Sequence, residues 1–191
     1  GETNSYVKDK FIVSVYNKDN FDTLYLYSNL NYDKILSGGK FDMTKDIFFL
    51  ISYNEKLIEP SIDSCLNEFH KTKKYWINWC ERTPKFSFYN DIILRSAMTL
   101  KLLSFDKTGA ILAALTTSIP ESIGEVRNWD YRFCWIRDAS MVIRVISKLG
   151  HRKIVKDFID FIIDLVSEKD EKIQIMYGIN KEKKLTEKFL N

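Results

Sequence analysis

Hydrophobic positions change their period near residue 60. Upstream they tend to recur every second residue: residues 10–16 (KFIVSVY), 22–28 (DTLYLYS) and 46–53 (DIFFLISY) are short, rich in β-branched and aromatic side chains, and separated by Asn, Asp and Gly punctuation. They predict antiparallel strands, with Phe11, Val13 and Val15 on one face and Ile12 and Ser14 on the other. Three strands make a poor sheet alone, so they are expected to join others or to pack on the helices downstream.

Beyond Pro60 the spacing becomes helical. Residues 61–80 place Ile62, Cys65, Leu66, Phe69, Tyr75, Trp76 and Trp79 at such intervals behind a Ser/Asp cap. They predict a linker helix whose aromatic residues serve interdomain packing rather than a binding platform. Residues 88–104, opened by Asn90 or Asp91, are apolar around most of the circumference and predict a helix buried on most sides. Residues 139–149, with Asp138 at the N-cap and Gly150 just past the end, and residues 152–167 predict two more helices, joined tightly enough to be antiparallel neighbours. Between the first and second of these three helices lies a long connection, residues 105–137, and such connections are often functional.

Composition narrows the function classes. The 191 residues are 45% hydrophobic and 29% charged, ordinary for a folded protein, and 29 basic against 26 acidic side chains are spread evenly, so no nucleic-acid footprint is visible. The densest charge run, Lys181 to Lys184, mixes both signs and reads as solvated surface. No apolar run approaches the ~20 residues of a membrane span and no leader opens the chain, which points to a cytoplasmic protein without a membrane partner. Cys65, Cys80 and Cys134 are odd in number and lack metal spacing, so they read as reduced thiols in or near the core, and no metal or cofactor is expected. His70 and His151 read as structural or exposed. Gly1 in place of Met, and a C-terminus without an evident stop signal, suggest a fragment.

The candidate chemistry is concentrated in the long connection. TTSIPES (residues 116–122) supplies hydroxyls and a proline turn; NWDYRFCWIRD (residues 128–138) supplies stacking surfaces and charge. A pyranose needs both, because adjacent carboxylate and guanidinium groups can clamp neighbouring hydroxyls while Trp and Tyr cover the apolar C–H face. Arg137 beside Asp138, with Trp135 and Tyr131 upstream, is such a set. The plainer alternative has Asp138 capping a helix that starts at Ala139, a contribution of about 1 kcal/mol, with Arg137 paired to a nearby acid and the tryptophans in the core. Asp130 and Arg132 have a similar plain reading as a loop salt bridge, and Cys134 lacks a histidine partner nearby in sequence that would make it a nucleophile.

The run TGAILAALTTSIPESIGEVRNWDYRFCWIRDASMVIRVISKLG (residues 108–150) closely resembles the hallmark segment of glycoside hydrolase family 15, the glucoamylases, glucodextranases and microbial trehalases. RSAMTLKLL upstream and IMYGINKEKKLTEKFLN downstream resemble that family in the same order. The resemblance implies strands followed by an all-α region: the end of a β-sandwich-like domain (residues 1–60), a linker helix (61–85) and the first, incomplete part of an (α/α)6 barrel (86–191). It also implies an exo-acting, inverting α-glucosidase of glucoamylase type, working without a metal on non-reducing ends of α-glucans. The alternatives are a trehalase of the same family and a truncated sugar-binding or scaffold paralogue. By the same resemblance Arg137 and Asp138 bind hydroxyls of the terminal glucose, and Tyr131 and Trp135 line that subsite.

Two departures qualify the expectation. Resembling sequences usually carry a second glycine after Gly124, where this chain has Glu125. An inverting hydrolase also needs two carboxylic acids on opposite sides of the bond, and the family pattern places both glutamates beyond Asn191; Glu121 and Glu125 flank the motif without matching either position. The chain alone is therefore expected to be inactive. With the apolar faces of helices 88–104 and 152–167 uncovered, it is further expected to self-associate or to be poorly soluble.

Overall fold

The computed structural model describes residues 4–16, 22–58, 60–115, 122–124, 130–166 and 172–186. An antiparallel sheet comes first and helices come after it, and the chain divides into two compact units, Gly1–Trp76 and Ile77–Asn191.

In the first unit β1 (Asn4–Lys8), β2 (Phe11–Tyr16), β3 (Asp22–Ser28) and β4 (Phe49–Tyr53) form a meander in that order, every neighbour antiparallel. The predicted alternation places Phe11 and Val13 with Tyr27 in one core, flanked by Val15, Tyr25 and Leu50. Phe11 meets Tyr25 edge-on at 5.6 Å, and the Tyr27 hydroxyl accepts from the Leu57 N–H at 2.8 Å. Ile12 is buried as well, so the sheet is covered locally on its other face. β1 escaped the sequence reading because it is short, mostly exposed and polar at Asn4, Ser5 and Lys8, as suits an edge strand.

The third predicted strand begins at Phe49 rather than residue 46, because side chains take over the bonding before it. Ser28 Oγ donates to the Phe48 carbonyl at 2.7 Å, while Asn29 accepts from the Phe48 N–H at 3.2 Å and donates to the Asp46 carbonyl at 2.9 Å. A five-residue helix, α1 (Tyr32–Leu36), capped by Asn31 on the Lys34 N–H, fills the β3–β4 connection.

Helix α2 (Ile62–Glu81) starts close to where the Ser/Asp cap predicts, with Ser61 and Ser64 making the cap. Ser64 N–H donates to Ser61 Oγ and Ser61 N–H to Ser64 Oγ, a reciprocal cap. Its aromatic residues diverge in environment: Trp79 is buried and Trp76 half-buried, while Phe69 and Tyr75 are exposed.

In the second unit α3 (Asn90–Leu102), α4 (Ile136–Lys148) and α5 (Arg152–Val166) match the predicted helices within a few residues. Helix α3 is not buried on most sides. Only Ala97 and Lys101 are buried, and Ile92 and Leu102 are exposed, because a single stripe of the helix finds partners among the described residues. Lys101 is held there by Asp106 at 2.6 Å.

Helix α5 carries its core on Ile154, Phe158, Phe161 and Leu165, at intervals of three and four residues. Gly150, at φ 81, ends α4 in a Schellman motif: its N–H bonds the Ser147 carbonyl and that of His151 bonds the Ile146 carbonyl. His151, buried, stacks on Trp79 at 3.9 Å and bonds the Thr83 hydroxyl at 2.9 Å, whereas His70 is exposed. Gly109 admits the close approach of α5, since a Cβ there would lie 2.0 Å from the Asp157 carbonyl oxygen. All three cysteines are free, with Cys134 buried and the other two half-buried. The run at Lys181 to Lys184 is less solvated than its charge suggested: Lys181 is paired with Asp164 at 2.5 Å.

Candidate functional site

The connection after α3 turns back on itself before it reaches α4. Leu112 N–H bonds the Leu103 carbonyl, and then Ala113 and Ala114 donate to the carbonyls of Phe133 and Tyr131 at 3.1 and 3.0 Å. The returning segment forms β5 (Cys134–Trp135), which pairs with β6 (Met176–Tyr177) as Cys134↔Tyr177 and Trp135↔Met176. Neither two-residue strand carries enough periodic sequence to be predicted. Cys134 is fully buried at the centre of these segments, and burial pushes its thiol above the usual value, which suits packing rather than nucleophilic attack.

This framework moves the start of α4. The helix begins at Ile136 with Trp135 as its extended N-cap residue, so Asp138 lies within the first turn and is not the predicted cap of a helix starting at Ala139. The physical reason is that Trp135 is held in β5 and the Ile136 N–H is already taken by the Ile175 carbonyl at 3.1 Å. A backbone acceptor thus replaces a side-chain cap, and the Asp138 carboxylate, near the positive end of the helix dipole, remains available.

Arg137 and Asp138 touch each other once, Nη2 to Oδ2 at 3.5 Å, with side chains 75% and 43% exposed. Trp135 is half-buried, and its indole N–H is a buried donor without a partner among the described residues. Such an orphan is uncommon in native proteins and calls for an acceptor. Tyr131 is half-buried, with its backbone bound to Ala114. The structure therefore brings Trp135, Arg137 and Asp138 together at one helix start, with Tyr131 on the strand-like approach to it.

Asp130 and Arg132, by contrast, satisfy each other. The guanidinium donates to both carboxylate oxygens at 3.1 and 3.0 Å and the Arg132 N–H donates at 2.9 Å, holding the Asp130 carboxyl below its usual range. Residues 116–121, Glu125 and Trp129 lie outside the described residues; Gly124, at φ 81, marks the turn before the last two. A small, largely apolar cavity of about 210 Å³ lies where α2 meets α3, lined by Cys80, Thr83, Pro84, Phe86 and Leu94 among others, and none of the motif residues lines it. Among the described residues no group of three or more His, Cys, Asp or Glu is placed to hold a metal ion, and no helix is long and apolar enough to cross a membrane.

A strand-framed helix start with an open Arg–Asp pair is carried by the part of the chain that matches a known family. Residues 87–191 match Glycosyl hydrolases family 15, and the chain belongs to that family. Among its relatives are the trehalase of Thermoplasma volcanium, 31% identical over 84% of this chain and 26% of the relative, and the trehalase of Thermoplasma acidophilum, 36% identical over 71% and 23%. The trehalase of Mycobacterium tuberculosis is 34% identical over 74% of this chain and 22% of its own length. The chain spans about a quarter of the length of these relatives. No solved structure matches it significantly.

Proposed function

We propose that the chain is the N-terminal and early-barrel portion of a family 15 α-glucosidase whose full-length form hydrolyses trehalose. The observation that carries this reading is the start of α4, where an exposed guanidinium and a carboxylate spend little on each other, just after the N-cap residue Trp135. The guanidinium donates to one sugar hydroxyl, the carboxylate accepts from its neighbour, and the rings of Tyr131 and Trp135 line the C–H face. Positioning the sugar in this way contributes to turnover as well as to affinity.

The names of the relatives favour trehalose over the α-glucans that the motif first suggested. The glucoamylase-like reading therefore yields to its alternative. Both substrates offer a terminal α-glucosyl unit to the same clamp, so discrimination belongs to the residues beyond the scissile bond. The acid and base of the inverting reaction, carboxyl groups about 6.5–9.5 Å apart, are assigned to segments beyond Asn191.

Residues 1–60 are read as the end of a β-sandwich-like domain, 61–85 as a linker helix and 86–191 as the first part of an (α/α)6 barrel. Exposed Ile92 and Leu102 on α3, and Ile159, Ile163 and Val166 on α5, support that reading: these faces await further barrel helices, or self-association when the chain stands alone. Three free cysteines fit a reducing, cytoplasmic setting.

The test is glucose release by the protein expressed from its complete reading frame, on trehalose and on maltotriose. A preference for trehalose of about tenfold or more in kcat/KM supports the proposal. The opposite preference restores the glucoamylase-like reading, and sugar binding without hydrolysis makes the protein a non-catalytic sugar binder.

A further inference from the structure

The start of α4 has no side-chain cap, and the ladder that supports it, β5 with β6, is two residues long on each side. So short a ladder does not persist by itself. The placement of Arg137 and Asp138 therefore depends on whatever fixes β6.

Immediately after β6 the chain makes a turn bonded more heavily than an exposed loop requires. Gly178 N–H donates to the Glu182 carbonyl at 3.0 Å, and Lys181 N–H to the Gly178 carbonyl at 3.1 Å. The Glu182 carboxylate folds back over the turn and accepts from the Asn180 backbone N–H at 3.0 Å and from Asn180 Nδ2 at 3.1 Å. Its own backbone N–H and those of Asn180 hold that carboxyl below the usual range.

The turn is also strained and anchored. Lys181 sits at φ 71, a region that costs a non-glycine residue energy and persists where the surroundings enforce it. Lys181 Nζ reaches Asp164 on α5, and the Thr108 hydroxyl donates to the Ile179 carbonyl at 2.6 Å. Gly178 leaves room for the folded carboxylate, because a Cβ there would lie 1.9 Å from Glu182 Oε2.

We infer that Glu182 is a positioning residue: it locks the Gly178–Glu182 turn, and through β6 and the Ile175 carbonyl that turn holds the first turn of α4, and with it Arg137 and Asp138, in place. Its consequence for sugar binding rests on the clamp proposed above; its consequence for the backbone does not. Gly178→Ala displaces the same carboxylate that Glu182→Ala removes, so the two changes should act as one.

The test is amide hydrogen exchange at Ile136, together with trehalose titration, on the full-length protein and its Glu182→Ala, Gly178→Ala, double and Glu182→Gln variants. Each alanine variant should speed exchange at Ile136 about tenfold, as expected for losing hydrogen bonds to a charged group, while Phe158 and Phe161 in α5 keep their protection. The double variant should add little to either single change. Trehalose affinity should fall in step, and glutamine, which keeps one accepting oxygen, should restore part of both. Unchanged exchange at Ile136 in Glu182→Ala overturns the lock, and faster exchange with unchanged affinity overturns the positioning role. A wild-type protein that binds no trehalose sinks the clamp alone, and Ile136 exchange then still decides the lock.

Discussion

Two arginine–aspartate pairs lie between residues 130 and 138, and they are built in opposite ways. Asp130 and Arg132 close on each other through Nε, Nη2 and the Arg132 backbone N–H, which together occupy both carboxylate oxygens. Arg137 and Asp138 make one long contact and face outward. The cause is local geometry. Asp130 Oδ1 takes the backbone N–H two residues on, an Asx-turn that brings the Arg132 side chain round to the same carboxylate, whereas neighbours on a helix diverge by about 100° and cannot meet in this way. The pair that looks tighter in the sequence is the one left open in the fold.

Three substitutions sharpen or break that contrast. Asp138→Asn in the full-length protein should lower kcat/KM for trehalose roughly 100-fold, while Asp130→Asn changes it by less than about threefold; equal losses in steady-state assays would erase the distinction between the pairs. Trp135→Phe keeps a ring but deletes the buried indole donor that has no partner among the described residues, so trehalose affinity by calorimetry should change little while the thermal midpoint stays level or rises.

Thr83→Val tests a buried polar group that is already satisfied. It removes the bond to His151, so urea unfolding should show about 1 kcal/mol of lost stability and no change in sugar affinity. Burial, and then the Arg82 charge, hold the His151 pKa below 6.5. The unfolded chain therefore takes up a proton before the folded one does. The stability this contributes is complete above pH 6.5 and is lost as pH falls towards the lower folded value. A wild-type protein should accordingly lose more stability between pH 7.5 and 5.5 than His151→Phe does, by the same urea titration.

The smallest effect belongs to Arg132→Ala, at most about 0.5 kcal/mol because the pair is largely solvated. Asp130 is held below 3.8, so that stabilisation is present above pH 3.8 and fades as the solution is acidified further. Acid unfolding curves of wild type and Arg132→Ala should converge at low pH.

Much of the fold was legible in the sequence because period and punctuation are local. Phe11 and Val13, the Ser61 cap and the Gly150 stop all act within a few residues, and each stands where the pattern put it. Partners distant in sequence were not legible. The Ile175 carbonyl that starts α4 lies 39 residues from Ile136, and without it Asp138 reads as a cap. Lys181 read as solvated because its partner, Asp164, lies across a separate segment. Tyr131, Trp135, Arg137 and Asp138 were proposed from the sequence, and the last three lie at one helix start, but which of the two Arg–Asp pairs is spent on itself required the backbone. Residues 88–104 read as buried on most sides because their composition is apolar, and composition does not say whether a neighbour is present to cover it.

The most direct test of the clamp is glucose release from trehalose by the full-length protein and its Arg137→Ala variant, measured side by side with their thermal midpoints. The account predicts hydrolysis by the wild type, a loss of roughly 100-fold in kcat/KM in the variant, and midpoints that agree within a few degrees. Hydrolysis by the wild type with undiminished kcat/KM in Arg137→Ala would contradict it.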